Sequence, residues 1–561
     1  MEAITKIVES AIRSAFDIDI DPELTRPDEQ HGDVATNVAL RLAKQVHKAP
    51  MEIADRIANT LRESTEMVRS VDVVAPGFIN LRFTDAHWQR SLLEIAEKKN
   101  SYGKNTRYKD QVVVAEYSDP NPFKELHAGH LYTSLVGDAI SRLLEAGGAE
   151  VKRVNFGGDV GLHVAKTMWA ILKKLRGANP EKLDAINEVE RASWLSDRYV
   201  EGASAYEDKE DAKEEIGELN KRIYQLHENN DHESAFAHIY WTCRQWSYDG
   251  FEALYSRLQM IPFTKYYPES VTTPRGVQAV KDGLKDSVFT HSEGAVVYNG
   301  EDEGLHTRVF LTSKGLPTYE AKDLGLALHK WEEFHFDLSI IITANDIVEY
   351  MKVVQAVIGK IEPGITSPTK HLTHGLIKLA GGMKMSSRKG NVLKASDVLD
   401  AARAAMRAEN DEAIAISAVR YAFLKNRIGG DVVYDPAESV ALEGNSGPYL
   451  QYAHARARSI LAKSSENSVD TEVFDFEPDE TRLIRKLTEY PDVVLRASDE
   501  LHPHLICTYL YELAQTFNYF YEHNRVIGDT RQNFRLRLVE AYSQVLKNGL
   551  SLLGLNAPEK M

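Results

Sequence analysis

Two cysteines, Cys243 and Cys507, are all that 561 residues contain. Two distant thiols cannot build a four-thiolate zinc site or a disulfide framework, so a reducing cytoplasm is the expected location. No apolar run approaches the ~18 residues of a membrane span. The opening stretch, MEAITKIVESAIRSAFDIDI, carries Glu2, Glu9 and Asp17. It reads as neither a signal peptide nor an acid-poor transit peptide. A G-x-G-x-x-G fingerprint is missing, which removes the usual dinucleotide reading. Positive charge is also short: 67 Lys and Arg stand against 83 Asp and Glu, a net −16. That argues against a general nucleic-acid coat. It does not exclude a local basic surface, because affinity follows charge at the contact. Internal repeats and low-complexity stretches are absent.

What is there is ordinary globular composition, 43% hydrophobic and 27% charged, over a length that implies roughly three or four domains. Residues 1–110 read as a small α+β domain. Ile4, Ile7, Val8, Ala11 and Ile12 repeat at helical spacing, EQHGDVATNVALRLAKQ is a turn and a helix, and VDVVAPGFINLRF is two strands about Pro76 and Gly77. QVVVAEYS, from Gln111, is a buried strand. Leu131, Leu135, Ala139 and Leu143 then mark a helix that Gly147 and Gly148 stop, and EVKRVNF is another strand. Strand, helix, strand implies a parallel sheet. Residues from about 163 to 275 look like a largely helical insertion into a catalytic domain spanning 111–391. GAVVYN, HTRVFLTS and LSIIIT resume strand character. A helical connector at 392–435 and an all-helical domain at 436–561 follow, with breaks near Pro503 and Gly528.

Two motifs carry chemistry. In NPFKELHAGHLYTSLVGD, His127 and His130 frame Gly129 at the mouth of the first sheet helix, and Lys124 stands just upstream. A helix N-terminus after a parallel strand is a phosphate site. Gly129, without a Cβ, lets a flat group lie on the backbone. The histidines can donate to phosphate oxygens as charge develops. Alone, this motif is equally well two surface histidines. The second motif, GGMKMSSRKGNV, places Lys384, Met385, Ser386, Ser387 and Arg388 between glycines, a set of cations and hydroxyls suited to a triphosphate. Alone, it reads as a solvated basic loop; the pair, in this order, is far more specific.

HAGH resembles the HIGH motif of class I aminoacyl-tRNA synthetases, and KMSSR resembles their KMSKS loop. HGDVATNVALRLAK, EYSDPNPFKELHAGHL, VNFGGDVG, PTYEAKDLGLA, GNSGPYLQYAHARARSI and QVLKNGLSLLGLNAPEKM extend the resemblance, along nearly the whole chain, to arginyl-tRNA synthetases. The resemblance implies an α/β fold: a Rossmann-type catalytic domain with an insertion, an N-terminal domain that binds the tRNA elbow, and an all-α anticodon-binding domain. It implies arginyl-adenylate formation from ATP with Mg²⁺, then transfer to tRNA(Arg), in a monomer that needs bound tRNA for efficient activation. It assigns His127, Gly129, His130, Lys384, Met385, Ser386, Ser387 and Arg388 to ATP. It assigns Glu116, Asn121, Tyr319 and Asp323 to arginine, with Tyr350 lining the pocket. It places Asn37 and Asn80 near the tRNA elbow. In GNSGPYLQYAHARARSI, Tyr449, Gln451, Tyr452, His454, Arg456 and Arg458 mix aromatics that can stack bases with cations that can grip phosphates; equally well, Tyr449 and Tyr452 are helix core and only the arginines are wet. Asn518 and His523, in a stretch that is mostly core, could face RNA as well.

Ser387 stands where the KMSKS motif has its second lysine, and family members that lose that lysine carry one where Lys124 stands. Lys352 falls near a substrate-holding glutamine of some relatives, which a lysine cannot replace. Carboxylates are what a guanidinium with five donors requires, and a lysine substrate would leave acceptors unpaired. The absent cysteine/histidine metal set speaks against a cysteine ligase, and an acidic pocket against a glutamate ligase. The intact motifs speak against a silent RNA-binding paralogue. The long helical C-terminal region speaks against a small-molecule adenylyltransferase.

Overall fold

Where the apolar residues recur decides each layer. The structure is a computed structural model and describes residues 1–64, 66–366, 369–380, 393–406, 412–463 and 475–561. Ile4, Val8, Ala11, Ile12 and Ala15 are all buried along one face of α1 (Glu2–Phe16). The chain continues through β1 (Val34–Thr36), α2 (Val38–Val46), α3 (Pro50–Ser64), β2 (Val68–Val74), β3 (Phe78–Phe83) and α4 (Asp85–Lys98). The strands form an antiparallel sheet in the order β1-β3-β2, with helices packed on it. The sequence pattern hides β1: its three residues are all buried, so no alternation marks it.

The run at Gln111 becomes β4 (Val112–Glu116), followed by α5 (Ala128–Ala146) and β5 (Glu150–Gly157). The inserted helices are α6 (Leu162–Leu175), α7 (Arg191–Asp208), α8 (Glu210–Glu228) and α9 (Ala235–Arg257). Next come β6 (Lys265–Pro268), α10 (Glu269–Lys285), β7 (Thr290–Ser292), β8 (Ala295–Tyr298), β9 (Arg308–Leu311), α11 (Tyr319–Phe334), β10 (Leu338–Ala344), α12 (Val348–Ile361) and β11 (Thr369–His374). The main sheet is parallel throughout, in the order β11-β10-β4-β5-β6. GAVVYN and HTRVFLTS are strands, but they belong to a separate antiparallel sheet, β7-β8-β9. LSIIIT alone of the three joins the main sheet. Short strands of similar composition do not reveal their partners.

The chain runs from β4 outward to β6 on one side, and from β10 outward to β11 on the other. The sheet therefore has a switch point between β4 and β10, where open parallel sheets bind ligands.

The remaining elements are β12 (Ile377–Leu379), α13 (Ala395–Ala405), α14 (Glu412–Leu424), β13 (Val432–Tyr434), α15 (Gly447–Ala462), α16 (Pro478–Thr488), α17 (Tyr490–Glu500), α18 (His504–His523) and α19 (Gln532–Leu552). Arg420 of α14 ties this helical part to the sheet and has no exposed surface. Its guanidinium donates to Asp138 of α5 at 2.5 Å, to the Leu258 carbonyl at 2.8 Å and to the Leu553 carbonyl at 3.1 Å. Arg142 adds a second bond to Asp138 at 2.9 Å. Near the N-terminal sheet, Arg26 bonds the Thr488 carbonyl at 2.8 Å and Asp492 at 3.0 Å.

Candidate active site

In a parallel sheet, a helix that follows a strand starts at the strand's carboxyl end, and one that precedes a strand starts there too. The first turns of α5, α6, α10, α11 and α12 therefore gather at one edge. They bring His127 and His130, His163, Glu269, Tyr319 with Asp323, and Tyr350 to that edge.

The loop from β4 to α5 is bent tightly. Ser118, Asp119 and Phe123 hold φ of 76°, 50° and 68°, left-handed values that non-glycine residues adopt at a cost of roughly 1 kcal/mol each. Neighbouring groups pin them. Ser118 Oγ lies 2.7 Å from the Tyr255 hydroxyl, and Asp119 accepts from Phe156 N–H at 2.7 Å. Asn121 Oδ1 accepts from Gly158 N–H at 2.8 Å, and Ser247 Oγ accepts from Phe123 N–H at 2.8 Å. Such local strain is stored where geometry must be held.

His127 is the N-cap of α5. Its Nδ1 accepts from the Gly129 and His130 N–H groups at 3.1 and 3.4 Å, while His130 Nδ1 accepts from the His127 N–H at 3.3 Å. This is a reciprocal cap made of two imidazoles, stacked with centroids 3.7 Å apart. With Nδ1 accepting in both, each ring carries its proton on Nε2. Burial, with the Lys124 charge behind it, pushes His127 down to about 4; burial and the His127 and Lys124 charges push His130 well below the usual range. Both are neutral donors at physiological pH. A Cβ on Gly129 would come within 2.9 Å of the His127 ring and, its chain neighbours and its own helix backbone aside, meet no other described residue within 4 Å. Lys124 is half-buried, which pushes its ammonium below the ordinary value, and its Nζ sits 5.5 Å from the centre of the Tyr199 ring on α7.

Lys384, Met385, Ser386, Ser387 and Arg388 lie outside the described residues. The segment just beyond them does not. Leu393 accepts from Ala128 N–H at 2.9 Å, Leu126 accepts from Ala395 N–H at 2.9 Å, and Lys394 pairs with Glu125 at 2.5 Å. The second motif thus leads directly onto the first.

On the other side of the switch point the carboxylates collect. Asp323 lies one turn after Tyr319 on α11, as the spacing predicts, and accepts from the Tyr350 hydroxyl. Burial, then the Glu116 and Glu269 charges, push Asp323 up to about 7. Asp119 is raised well above the carboxylate range, first by burial and then by Glu116. Glu116 does not stand there as a free acceptor: its Oε2 takes a bond from buried Lys330. Glu269 is paired likewise with Lys322 at 2.6 Å.

The sequence reading misses Asp119, Glu269, Lys322 and Lys330. The two lysines sit in a helical pattern as if solvated, and only the fold shows them buried. It also misses His163, whose ring nitrogen lies 2.7 Å from the Gly158 carbonyl; the stretch VNFGGDVG stops short of it. Lys352 faces away, exposed and paired with Glu349 at 2.6 Å.

The expected RNA residues divide. Gln451 is 1% exposed and donates to Ser417 and to the Asn556 carbonyl, both at 3.0 Å. His454 is equally buried, 2.8 Å from the Pro558 carbonyl. Its amide nitrogen is spent on Ser417 and on the C-terminal segment, and its amide oxygen is buried without a partner among the described residues. Gln451→Leu is expected to cost about 2 kcal/mol of stability, two neutral hydrogen bonds, with KM for tRNA unchanged. A raised tRNA KM at unchanged stability would return Gln451 to the RNA surface.

Arg458 pairs with Glu559 at 2.6 Å, Arg456 lies over the Tyr521 ring at 4.7 Å, and the Tyr449 hydroxyl accepts from Asn518 at 2.8 Å. Tyr452 is exposed, and His523 stacks on exposed Tyr519 at 4.2 Å. In the N-terminal sheet Asn80 is buried, while Asn37 is half-buried with Oδ1 unpartnered among the described residues.

Comparison with known proteins bears on the whole chain. A family model described as "tRNA synthetases class I (R), catalytic domain" matches residues 91–435. "Arginyl tRNA synthetase N terminal domain" matches 2–83, and "DALR anticodon binding domain" matches 450–561. The arginine–tRNA ligase of Porphyromonas gingivalis is 29% identical, with 94% of this chain and 93% of the relative covered. That of Flavobacterium psychrophilum is 27% identical, with 100% and 99% covered. The solved structure of the Thermus thermophilus arginyl-tRNA synthetase superposes with a TM-score of 0.80 at 24% identity, over 100% of both chains, a likeness of fold.

Proposed function

Since the chain belongs to the class I arginyl-tRNA synthetases and is an arginine–tRNA ligase, we propose how its residues divide the work between arginine, ATP and tRNA. Arginine binds at the acid-lined side of the switch point. Asp323 takes the guanidinium, Tyr319 packs over it, and Asn121 Nδ2, whose partner oxygen is already spent on Gly158, meets the carboxylate end. Glu116, shared with Lys330, supplies negative charge and no open oxygen pair.

ATP lies along Gly129, with the Nε2 protons of His127 and His130 aimed at its phosphates. Lys124 meets the phosphate chain in place of the lysine that Ser387 displaces, and Lys384, Met385, Ser386 and Arg388 are assigned to ATP with it. ATP would bring Mg²⁺ with it, held mostly by phosphates and waters, to offset charge on the phosphates. The arginine carboxylate attacks the α-phosphate, giving arginyl-adenylate and pyrophosphate. The terminal ribose hydroxyl of tRNA(Arg) then attacks the adenylate carbonyl. No side-chain nucleophile is needed; positioning and charge stabilisation carry the first step. Arg456, Arg458, Tyr449 and exposed Tyr452 lie on the RNA side of the helical domain, and Asn37 and Asn80 near the elbow. The enzyme works as a cytoplasmic monomer whose first step awaits bound tRNA.

The observation that carries the assignment is the crowd of carboxylates at Asp323. Glu116 and Glu269 have lysine partners, whereas Asp323 is buried, raised to about 7 and bonded only to the Tyr350 hydroxyl among the described residues, which suits it to receive a cationic side chain. The test is charging of total tRNA with each amino acid separately, and ATP–pyrophosphate exchange with and without tRNA. Arginine alone charged, with exchange appearing only when tRNA is present, supports the reading. Charging of another amino acid overturns the pocket assignment.

A pH prediction follows from Asp323. Its carboxyl is raised to about 7, so below that pH it is protonated in the empty site. Bound guanidinium favours the charged form. KM for arginine is therefore expected to fall as pH rises from 6 to 8, by up to about tenfold per unit below 7. A KM flat across this range would remove Asp323 from the guanidinium.

A further inference from the structure

Lys124 stands just upstream of the paired histidines. It is half-buried, yet among the described residues no carboxylate pairs with its ammonium; the adjacent Glu125 is taken by Lys394 at 2.5 Å. Its charge is nonetheless felt by His127, His130 and His163 together, which places it in the middle of the phosphate side of the site. Its stem borders a cavity of about 150 Å³ whose walls come from the insertion (Leu195 of α7, Ser247 and Phe251 of α9) and from Ala395 and Ser396. The group that does face it is the Tyr199 ring of α7, 5.5 Å from Nζ.

An aromatic face attracts an ammonium through its quadrupole without a localised negative charge. A carboxylate in the same place would neutralise the lysine, and its ion pair would have to be broken before phosphate could bind. A ring holds the charge and leaves its donors free. We propose that Tyr199, supplied by the helical insertion, is a positioning residue that holds the Lys124 ammonium by its ring face at the phosphate side of the site until ATP arrives. This rests on the assignment of Lys124 to ATP, and the experiment separates the two.

ATP–pyrophosphate exchange is measured on the full chain, with arginine and tRNA present, for Tyr199→Phe, Tyr199→Leu, Lys124→Met and the double variant Lys124→Met/Tyr199→Leu. Tyr199→Phe keeps the ring and stays within about twofold of the parent. Tyr199→Leu loses about tenfold in kcat/KM for ATP, between the effects of an exposed and a fully desolvated cation–π contact. KM for arginine moves less than that for ATP. The double variant matches Lys124→Met alone, because the ring acts through the lysine.

Tyr199→Leu behaving like the parent, or losing the same factor again in the Lys124→Met background, overturns the proposal. So does Tyr199→Phe falling as far as Tyr199→Leu. Lys124→Met with parental exchange overturns the assignment of Lys124 itself, a different result from any of these. If Tyr199→Leu does not fold, fluorinated phenylalanines at 199 keep the shape and weaken the ring face. A graded fall in kcat/KM for ATP with fluorination is then the expected outcome, and a flat series overturns the proposal.

Discussion

An Asp323→Asn variant is expected to lose about 10²- to 10³-fold in kcat/KM for arginine while unfolding at a temperature no lower than the parent at pH 8. The loss comes from the guanidinium. Two charge-assisted hydrogen bonds contribute about 1.5–3 kcal/mol each, and an amide keeps the shape but neither the charge nor the second acceptor. The unfolding result comes from the empty site. Asp323 ionises against burial and against the Glu116 and Glu269 charges, so its carboxyl stays up at about 7. A carboxyl raised on folding contributes stability that is complete below its unfolded value, near 4, and lost as pH rises through about 7. At pH 8 the parent holds an unfavourable charge that asparagine lacks. Exchange kinetics and calorimetry on the same preparations check both halves. A variant with parental arginine kinetics, or one that unfolds several degrees early at pH 8, would contradict the role given to this carboxylate.

The second large effect is expected at His127, where one ring performs two tasks. Its Nδ1 caps α5 and its Nε2 proton points outward. His127→Asn retains a short acceptor at the cap and removes the outward donor. It should lower kcat for exchange by about 10²- to 10³-fold, the usual cost of one missing transition-state donor, with thermal stability held close to the parent. His127→Ala should lower kcat equally and also cost about 1 kcal/mol of stability through the lost cap. If both variants lost kcat only in proportion to stability, the histidine would be a cap and nothing more. Because burial and Lys124 hold the ring down at about 4, the kcat profile of the parent should show no limb between pH 6 and 8 from this residue.

The sheet, the helix behind HAGH and the pairing of Tyr319 with Asp323 were legible in the sequence because each rests on local periodicity. Val113, Val114 and Ala115 are buried on both faces, so β4 reads as an unbroken apolar run. Tyr319 and Asp323 sit one turn apart on any helix. What stayed hidden depends on contacts between distant segments. Lys330 looks like any helix lysine until β4 is set beside α11 and Glu116 meets it. Gln451 sits among tyrosines and arginines that suggest RNA, yet it turns inward to the Asn556 carbonyl, a partner 105 residues away. Tyr199 belongs to an insertion whose sequence announces only charged helices, and its place beside Lys124 emerges from how α7 folds back.

Arg420 joins residues that a ribosome makes at very different times. Asp138 emerges early, Arg420 much later, and the Leu553 carbonyl that completes the guanidinium's set later still. At roughly 5–20 residues per second, the helix bearing HAGH waits on the order of 20–80 s for that last anchor. Until Arg420 is made, Asp138 has only Arg142, one turn further along α5, as a cation. A nascent chain that already displays both imidazoles has not yet fastened the helix that aims them. A product broken off before residue 553 would leave Arg420 short of a partner inside a closed core. Fastening α14 at once to α5 and to the residue that follows α19 is therefore among the last contacts a new chain can complete.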